Sequence, residues 1–403
     1  MHRLANVIER KDPWFACQPL LVGSAFEGTK IDTPDEFDFD LILTKFSNLV
    51  EVIPSPVAPE GFVYLRKKSS DPQGETDERF FNEEGMLKTN EINCRFKIIL
   101  RNVLQDPSFW DDEYLFESTD PEDTMKRFVR WYDRHKNGRD YNDLTDQRIN
   151  PSLCTTIRLK QTRALDDEYL PNNISLDLVP CIHVDGWWPD KARSDLSDSI
   201  KANGCNLVFD QPQRKYPWVP FGENYARISF APAESRIIKD SSPTSRAAYM
   251  VCKHLIKDTP QMTYVLKTCL LYCIEALEPE NDKSFYDESD YNLSLWVEKI
   301  MRCYLMFFLQ DFCPCFLMPS FSLPIGDFLK SNHILLQITN ESDYEFLKEG
   351  HRRYRCSIRE VYFANFDLFR IICTGDTDIL LPKPQPLCET FNHHEIILQL
   401  KAF

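Results

Sequence analysis

The stretch that most limits what this chain can become is Glu36-Phe37-Asp38-Phe39-Asp40-Leu41-Ile42-Leu43. Acidic and apolar residues alternate there with a period of two, the pattern of a strand that shows one acidic face and buries the other. Glycine is scarce, twelve in 403 residues, so Gly23-Ser24 directly after the apolar residues 19–22 signals a break into a tight turn of small residues. Glycine lets a backbone approach an anion closely with its N–H groups facing it. Farther on, Ile174-Ser175-Leu176-Asp177-Leu178-Val179 sets a single acid inside an otherwise apolar strand. Each piece alone has an ordinary explanation. Gly-Ser recurs anywhere, a solvated strand face accounts for Glu36 and Asp38, and a hydrogen-bonded strand residue accounts for Asp177. The order is more specific: apolar strand, Gly-Ser, acid-x-acid, then a distant third acid. Three carboxylates converging from neighbouring strands suit hard cations such as Mg²⁺. A pair of such ions serves in-line displacement at a phosphate.

Composition narrows the class. A hydrophobic content of 43% excludes a disordered chain. No apolar run approaches the roughly twenty residues of a membrane span, and no signal peptide is visible, so a soluble, cytoplasmic protein is expected. Fourteen cysteines without a C-x-x-C pair then read as reduced thiols. Cys269 and Cys273, and Cys313 and Cys315, are expected in the core, and zinc is not expected. The sequons at Asn173, Asn292 and Asn340 are chance matches in such a compartment. There is no G-x-x-x-x-G-K-[ST] loop and no H-E-x-x-H, and His393-His394-Glu395 is expected at the surface.

Periodicity predicts helices over 92–104 and 124–135, strands over 152–160, 174–184, 205–210 and 227–230, and then helices over 246–257, 262–277 and 292–312. Strands first and helices after imply an α+β protein of two lobes, a mixed β-sheet lobe followed by a helical bundle. The expected divisions are 1–232 for the sheet lobe, 233–335 for the helical lobe, and 336–403 for an extension carrying Pro382, Pro384 and Pro386.

The run from Gly23-Ser24-Ala25-Phe26-Glu27-Gly28-Thr29-Lys30-Ile31 through Glu36-Phe37-Asp38 resembles the cyclic GMP-AMP synthase-like receptors and Mab-type (male-abnormal-twenty-one) nucleotidyltransferases. Similar segments follow in the same order: 174–179, Arg227-Ile228-Ser229-Phe230 with Glu234, Cys252-Lys253-His254-Leu255-Ile256 with Thr263–Thr268, and 303–324. The resemblance covers about the first four-fifths of the chain. It implies a bilobal nucleotidyltransferase fold in which Glu36, Asp38 and Asp177 hold two Mg²⁺ or Mn²⁺ ions. Gly23 and Ser24 would sit against the β/γ-phosphates. Lys253 would neutralise a phosphate, with Lys267 on the same nucleotide wall, Thr263 would hydrogen-bond a phosphate, and Tyr264 would stack on a base. Arg227 would contact the second base, with Ser229 and Glu234 nearby. The plain alternatives are a solvated helix face for Lys253 and Lys267, core packing for Tyr264, and a salt bridge for Arg227. Asp40 extends the alternation but lies outside the implied ligand set. The implied activity joins two nucleoside triphosphates, ATP and GTP, into a cyclic dinucleotide in innate immune signalling.

Two departures from the family pattern stand out. The interval 235–251 has no His or Cys for a zinc ribbon, which sets double-stranded DNA recognition by that device in doubt and favours double-stranded RNA as activator. About twenty residues precede Gly23, where the resemblance implies a long helix; either that helix is abbreviated or the start is incomplete. The net charge of −15 opposes general phosphate binding, so an RNA contact needs a local patch. Lys126, Arg127, Arg130 and Arg134 at helical spacing supply one; the alternative is a solvated face paired with Asp120, Glu122 and Asp123. Two competing readings are a Mab-type binding protein that makes no product and a template-independent polymerase.

Overall fold

A computed structural model of the chain describes residues 1–31, 35–53, 58–69, 78–110, 114–119, 154–161, 173–210, 224–256, 263–277, 290–310, 313–323 and 396–397. It divides into two compact units, one of Met1–Pro189 with Leu196–Arg236, the other of Asp190–Asp195 with Ile237–Phe403. The basic residues Lys126, Arg127, Arg130 and Arg134 and the helix expected over 124–135 lie outside the described residues, as do His393-His394-Glu395 and most of the C-terminal extension.

Among the described residues of the first unit, nine strands form one mixed sheet. They are β1 (Cys17–Val22), β2 (Glu36–Leu43), β3 (Val50–Ile53), β4 (Phe62–Lys67), β5 (Tyr114–Thr119), β6 (Thr155–Gln161), β7 (Asn173–His183), β8 (Asn206–Val208) and β9 (Tyr225–Ser229). The main path runs β1-β2-β7-β8-β9-β4-β3, and β5 pairs β6, which pairs β7. β2 and β7 are parallel, and the other ladders are antiparallel.

Residues opposite one another in a ladder share a face, as do residues two apart on a strand. Leu41 and Leu43 of β2 thus share a face with Leu178 and Ile182 of β7, Ile157 of β6, Leu207 of β8, Ala226 of β9 and Leu65 of β4. All of these are buried in one hydrophobic cluster. Three helices close that face: α1 (His2–Lys11) through Leu4 and Ile8, α3 (Thr44–Leu49) through Phe46, and α4 (Thr89–Leu104) through Ile92, Phe96, Leu100 and Val103. The spacing of those α4 positions is the 3.6-residue stripe that the sequence predicts. The opposite face of the same strands carries Glu36, Asp38, Asp40, Asp177, Arg227 and Ser229. A dry face and a polar face thus follow from one alternation.

Between β1 and β2 stands a short helix, α2 (Gly23–Glu27), and the four-residue α5 (Asp198–Lys201) precedes β8. The chain leaves the sheet through α6 (Ala231–Asp240), a helix that periodicity did not reveal.

The second unit is helical. α7 (Pro243–Leu255) begins on a sequence signal: Ser242 Oγ accepts from the Ser245 N–H at 3.0 Å, and Pro243 takes the first helical position. α8 (Thr263–Leu277) is buried continuously from Val265 to Cys273, as expected of the central helix of a bundle. α9 (Asp290–Gln310) contributes Trp296, Ile300, Cys303 and Phe307 to the interior, and β10 (Cys313–Pro314) pairs with β11 (Ser322–Leu323). Arg193, although it precedes β8 in the chain, belongs to this unit: its guanidinium bonds Glu275 Oε1 at 2.9 Å and lies 4.8 Å over the Phe316 ring. No described helix is long and apolar enough to cross a membrane.

The described cysteines form no disulfide. Burial pushes the thiols of Cys205 and Cys269 up to about 12, and those of Cys181, Cys273, Cys303 and Cys313 well above the ordinary range. In the unfolded chain thiols lose their protons near pH 8.5. Above that pH the unfolded state binds fewer protons than the folded one, so stability falls as pH rises, by up to about 1.4 kcal/mol per pH unit for each such thiol. Denaturant unfolding is expected to show full stability below pH 8 and a steepening loss towards pH 11. In parallel, iodoacetamide at pH 8 should leave these six thiols unlabelled in the native protein and label them all after unfolding. Rapid native labelling at these positions would contradict their placement.

Candidate functional site

The sheet's polar face is organised around the parallel ladder of β2 and β7. Its register sets Glu36 opposite Ser175, Asp38 opposite Asp177 and Asp40 opposite Val179. The ladder starts one residue earlier, where Ser175 N–H donates to the Asp35 carbonyl at 2.6 Å. Neighbouring strands are separated by about 4.8 Å, so Asp38 and Asp177 are adjacent acids on one face, brought together from positions far apart in the chain. Asp177 is half-buried, and its Oδ1 accepts from Thr156 Oγ1 of β6 at 2.6 Å. The Cys154 thiol also points at this carboxylate; burial, then the Asp177 charge, push it up to about 12, so it stays protonated and donates.

Gly23 faces Asp38 from the other side. Val22 is the β1 partner of Asp38, and Gly23 follows it with φ +68°, a left-handed backbone suited to glycine. A Cβ at Gly23 would overlap Asp38 Oδ2. The expected small-residue turn is therefore the first turn of α2, closed at its far end by Gly28 in the left-handed region at φ 70°. Ser24 lies in that helix, and its carbonyl accepts from the Thr29 N–H at 3.0 Å.

Glu36, Asp38 and Asp177 all present carboxylate oxygens, the donors that hard divalent cations take, so the donor set fits Mg²⁺ or Mn²⁺. The three are not closed into a ligand cluster, however. Among the described residues no group of three His, Cys, Asp or Glu side chains is placed to hold a metal ion. Register and face are shared by the three, and Glu36 is paired with a cation in this structure, its Oε2 lying 3.2 Å from Lys30 Nζ. Asp40 is buried and accepts from Asn206 Nδ2 at 2.7 Å, and Asn206 Oδ1 lies 3.0 Å from His183 Nδ1. That network ties β8 to β2 across the intervening β7.

Arg227 on β9 donates from Nε to Asp210 Oδ2 at 2.7 Å, the salt-bridge alternative that the sequence left open. Ser229 is half-buried at the end of the same strand. Glu234 lies in the first turn of α6 and is only 2% exposed. Its neighbour Ser235 donates to Glu27 Oε1 at 2.8 Å, and Thr29 Oγ1 donates to Glu27 Oε2 at 3.4 Å. Glu27 is itself buried, so these hydroxyls satisfy a desolvated carboxylate and tie α2 to α6. Ser235→Ala removes one of them. The expected loss is about 1–2 kcal/mol, read as a lowered thermal midpoint, with Ser235→Thr close to wild type. An unchanged midpoint in the alanine variant would remove this tie from the account.

Lys253, Thr263, Tyr264 and Lys267 belong to the second unit. Lys253, near the end of α7, is half-buried with Nζ 5.5 Å over the Tyr249 ring. Thr263 and Tyr264 open α8, and Tyr264 is 42% exposed, so core packing does not account for it. Lys267 is buried, which excludes the solvated-face alternative. Sequence reading missed the contributions of Thr156, Cys154, Asn206, Ser235 and Lys30. Only Thr156 left a signal, since a strand over 152–160 laid beside 174–184 brings one of its hydroxyls to Asp177.

Comparison with known proteins gives two findings. The Mab-21 protein nucleotidyltransferase domain matches residues 25–240, just over half of the chain. A cyclic GMP-AMP synthase-like receptor from Trichogramma pretiosum is 20% identical over 292 residues, an alignment that covers 68% of this chain and 52% of that protein. The chain thus spans about half the length of the curated relative it matches. The matched domain takes in Glu36, Asp38, Asp177, Arg227, Ser229 and Glu234, and starts just after Gly23 and Ser24. With a mixed sheet whose one polar face gathers its acids, and with that domain matched from 25 to 240, the chain belongs to the Mab-21 nucleotidyltransferase family.

Proposed function

We propose that the protein is a ligand-activated nucleotidyltransferase that joins ATP and GTP into a cyclic dinucleotide second messenger, with double-stranded RNA as the activator in innate immune sensing. One observation carries the reading: the β2–β7 register sets Asp38 beside Asp177, with Glu36 two residues along the same face and Gly23 against the Asp38 carboxylate. Glu36, Asp38 and Asp177 would hold Mg²⁺ or Mn²⁺; when bound, such ions neutralise a triphosphate and favour attack by a hydroxyl. The chain's own residues supply placement. Gly23 leaves room beside Asp38, and Ser24 offers a hydroxyl to the β/γ-phosphates. In the second unit Tyr264 offers an exposed ring for a base and Lys253 and Thr263 offer donors to phosphate, with the buried Lys267 on the same helix as Thr263 and Tyr264. Arg227 contacts the base of the second nucleotide, exchanging Asp210 for a base edge, with Ser229 and Glu234 nearby. In each transfer a ribose hydroxyl attacks an α-phosphorus, a new P–O bond forms, and pyrophosphate leaves. The thiol-rich core suits a reducing compartment, and we place the protein in the cytoplasm. Lys126, Arg127, Arg130 and Arg134 are the proposed RNA contacts.

A second reading is a Mab-type binding protein that keeps the fold and makes no product. Incubation of the full chain with labelled ATP and GTP, Mg²⁺ or Mn²⁺, and duplex RNA or DNA separates the two. The expected result is a compact phosphatase-resistant product that depends on duplex RNA. No such product under any combination would favour the binding protein, and a product ladder would point to a polymerase.

A further inference from the structure

We infer that Lys30 is a positioning residue of this site: its ammonium group holds the Glu36 carboxylate and is the internal counter-ion that a divalent cation must displace. The inference rests on the reading of Glu36, Asp38 and Asp177 as the ligand set.

Lys30 Nζ lies 3.2 Å from Glu36 Oε2 and 3.3 Å from Asp35 Oδ1, so one ammonium bridges two consecutive carboxylates at the mouth of β2. Its exposure is unlike that of its partners. The Lys30 side chain is 18% exposed, whereas Asp35 and Glu36 are 54% and 55% exposed. The cation is thus the sheltered member of the three. Its backbone is anchored as well: the preceding residue, Thr29, is fully buried and bonded to both Ser24 and Glu27.

The consequence lies on the polar face of β2. Register alone places Glu36, Asp38 and Asp177 on that face, yet no three-carboxylate cluster forms among the described residues. Glu36 is the member paired with Lys30. An ammonium competes with a divalent cation for the same oxygen lone pairs and repels it through its own charge. Binding at all three acids therefore exchanges a lysine ion pair for metal coordination. An ordinary surface ion pair would be indifferent to divalent cations; this pair is not, because one partner is a ligand.

The test is Mn²⁺ binding to the purified full chain without nucleotide, followed through the electron paramagnetic resonance signal of free Mn²⁺. Wild type is compared with Lys30→Met, Lys30→Gln and Asp38→Asn, and circular dichroism confirms that each is folded. Both Lys30 variants are expected to bind Mn²⁺ about 1.5- to fivefold more tightly, on the scale of one partly exposed ion pair. Wild-type or weaker affinity in either Lys30 variant, with binding lost in Asp38→Asn, overturns the role of Lys30 and leaves the metal site standing. Wild-type binding in Asp38→Asn removes the metal-site reading itself, and the inference with it.

Discussion

Asp177→Asn is expected to reduce product formation by at least about a hundredfold, on the scale of removing one preorganised electrostatic group from a reacting centre. The fold should survive. Asparagine keeps the shape of the side chain and an Oδ1 acceptor, so the Thr156 hydroxyl, now 2.6 Å from Asp177 Oδ1, retains its partner. Stability is expected to rise slightly. Asp38 and Asp177 are like charges in direct register, and such pairs oppose the ladder by about 0.2–1 kcal/mol in the absence of a cation. A stabilised protein that has lost transfer is the mark of a site built for a bound ion rather than for the fold. Transfer within a few-fold of wild type in a folded variant would exclude Asp177 from the chemistry. A destabilised variant would instead make Asp177 a structural acid held by Thr156 and Cys154.

Glu27 shows how far such a site can be read before its structure is known. It belongs to a legible run, Gly23 to Ile31, yet its role depends on Ser235, a partner 208 residues away. Periodicity reports which face a residue occupies and nothing about which distant element that face meets. The acidic and apolar alternation of 36–43 therefore reads directly as β2, and the isolated acid at 177 reads as a strand residue. The Asn206 bond to Asp40, across 166 residues, leaves no trace in the pattern. The division into a mixed sheet and a helical bundle was legible for the same reason, because each depends on local repeats. α6 escaped because Pro232 and the polar Glu234-Ser235-Arg236 mask a stripe only ten residues long. Tyr264 and Lys267 exchange the places that composition suggests, an exposed ring and a buried lysine in a helix whose middle is buried all round. In so apolar a helix the sequence marks no solvent side. Lys30 was visible as a residue of the run, but its pairing depends on how the chain returns from α2 to β2.

Gly23→Ala should be the most damaging single-methyl change in the first unit. Two costs act together. The backbone at φ +68° strains any L-residue by about 1–2 kcal/mol. The added Cβ would also overlap Asp38 Oδ2 and lie 3.1 Å from Asp38 Cγ and 3.3 Å from Asp38 Cβ. Asp38 cannot yield through its backbone, since β2 is paired to Val22 on one side and to Asp177 on the other. Its carboxylate must rotate away, and transfer is expected to fall by about a hundredfold or more even where the chain still folds. Gly28 separates the two costs. Its φ is +70°, nearly that of Gly23, but a Cβ there meets nothing within 4 Å. Gly28→Ala is therefore expected to show the backbone strain alone, about 1–2 kcal/mol in unfolding free energy, with transfer retained. Thermal midpoints and product yields of the two variants, measured side by side, decide between the causes. Equal loss of transfer in both would assign the defect to distortion of α2. Loss confined to Gly23→Ala would assign it to the Asp38 carboxylate, and with it the reason that a glycine stands at the first position of this helix.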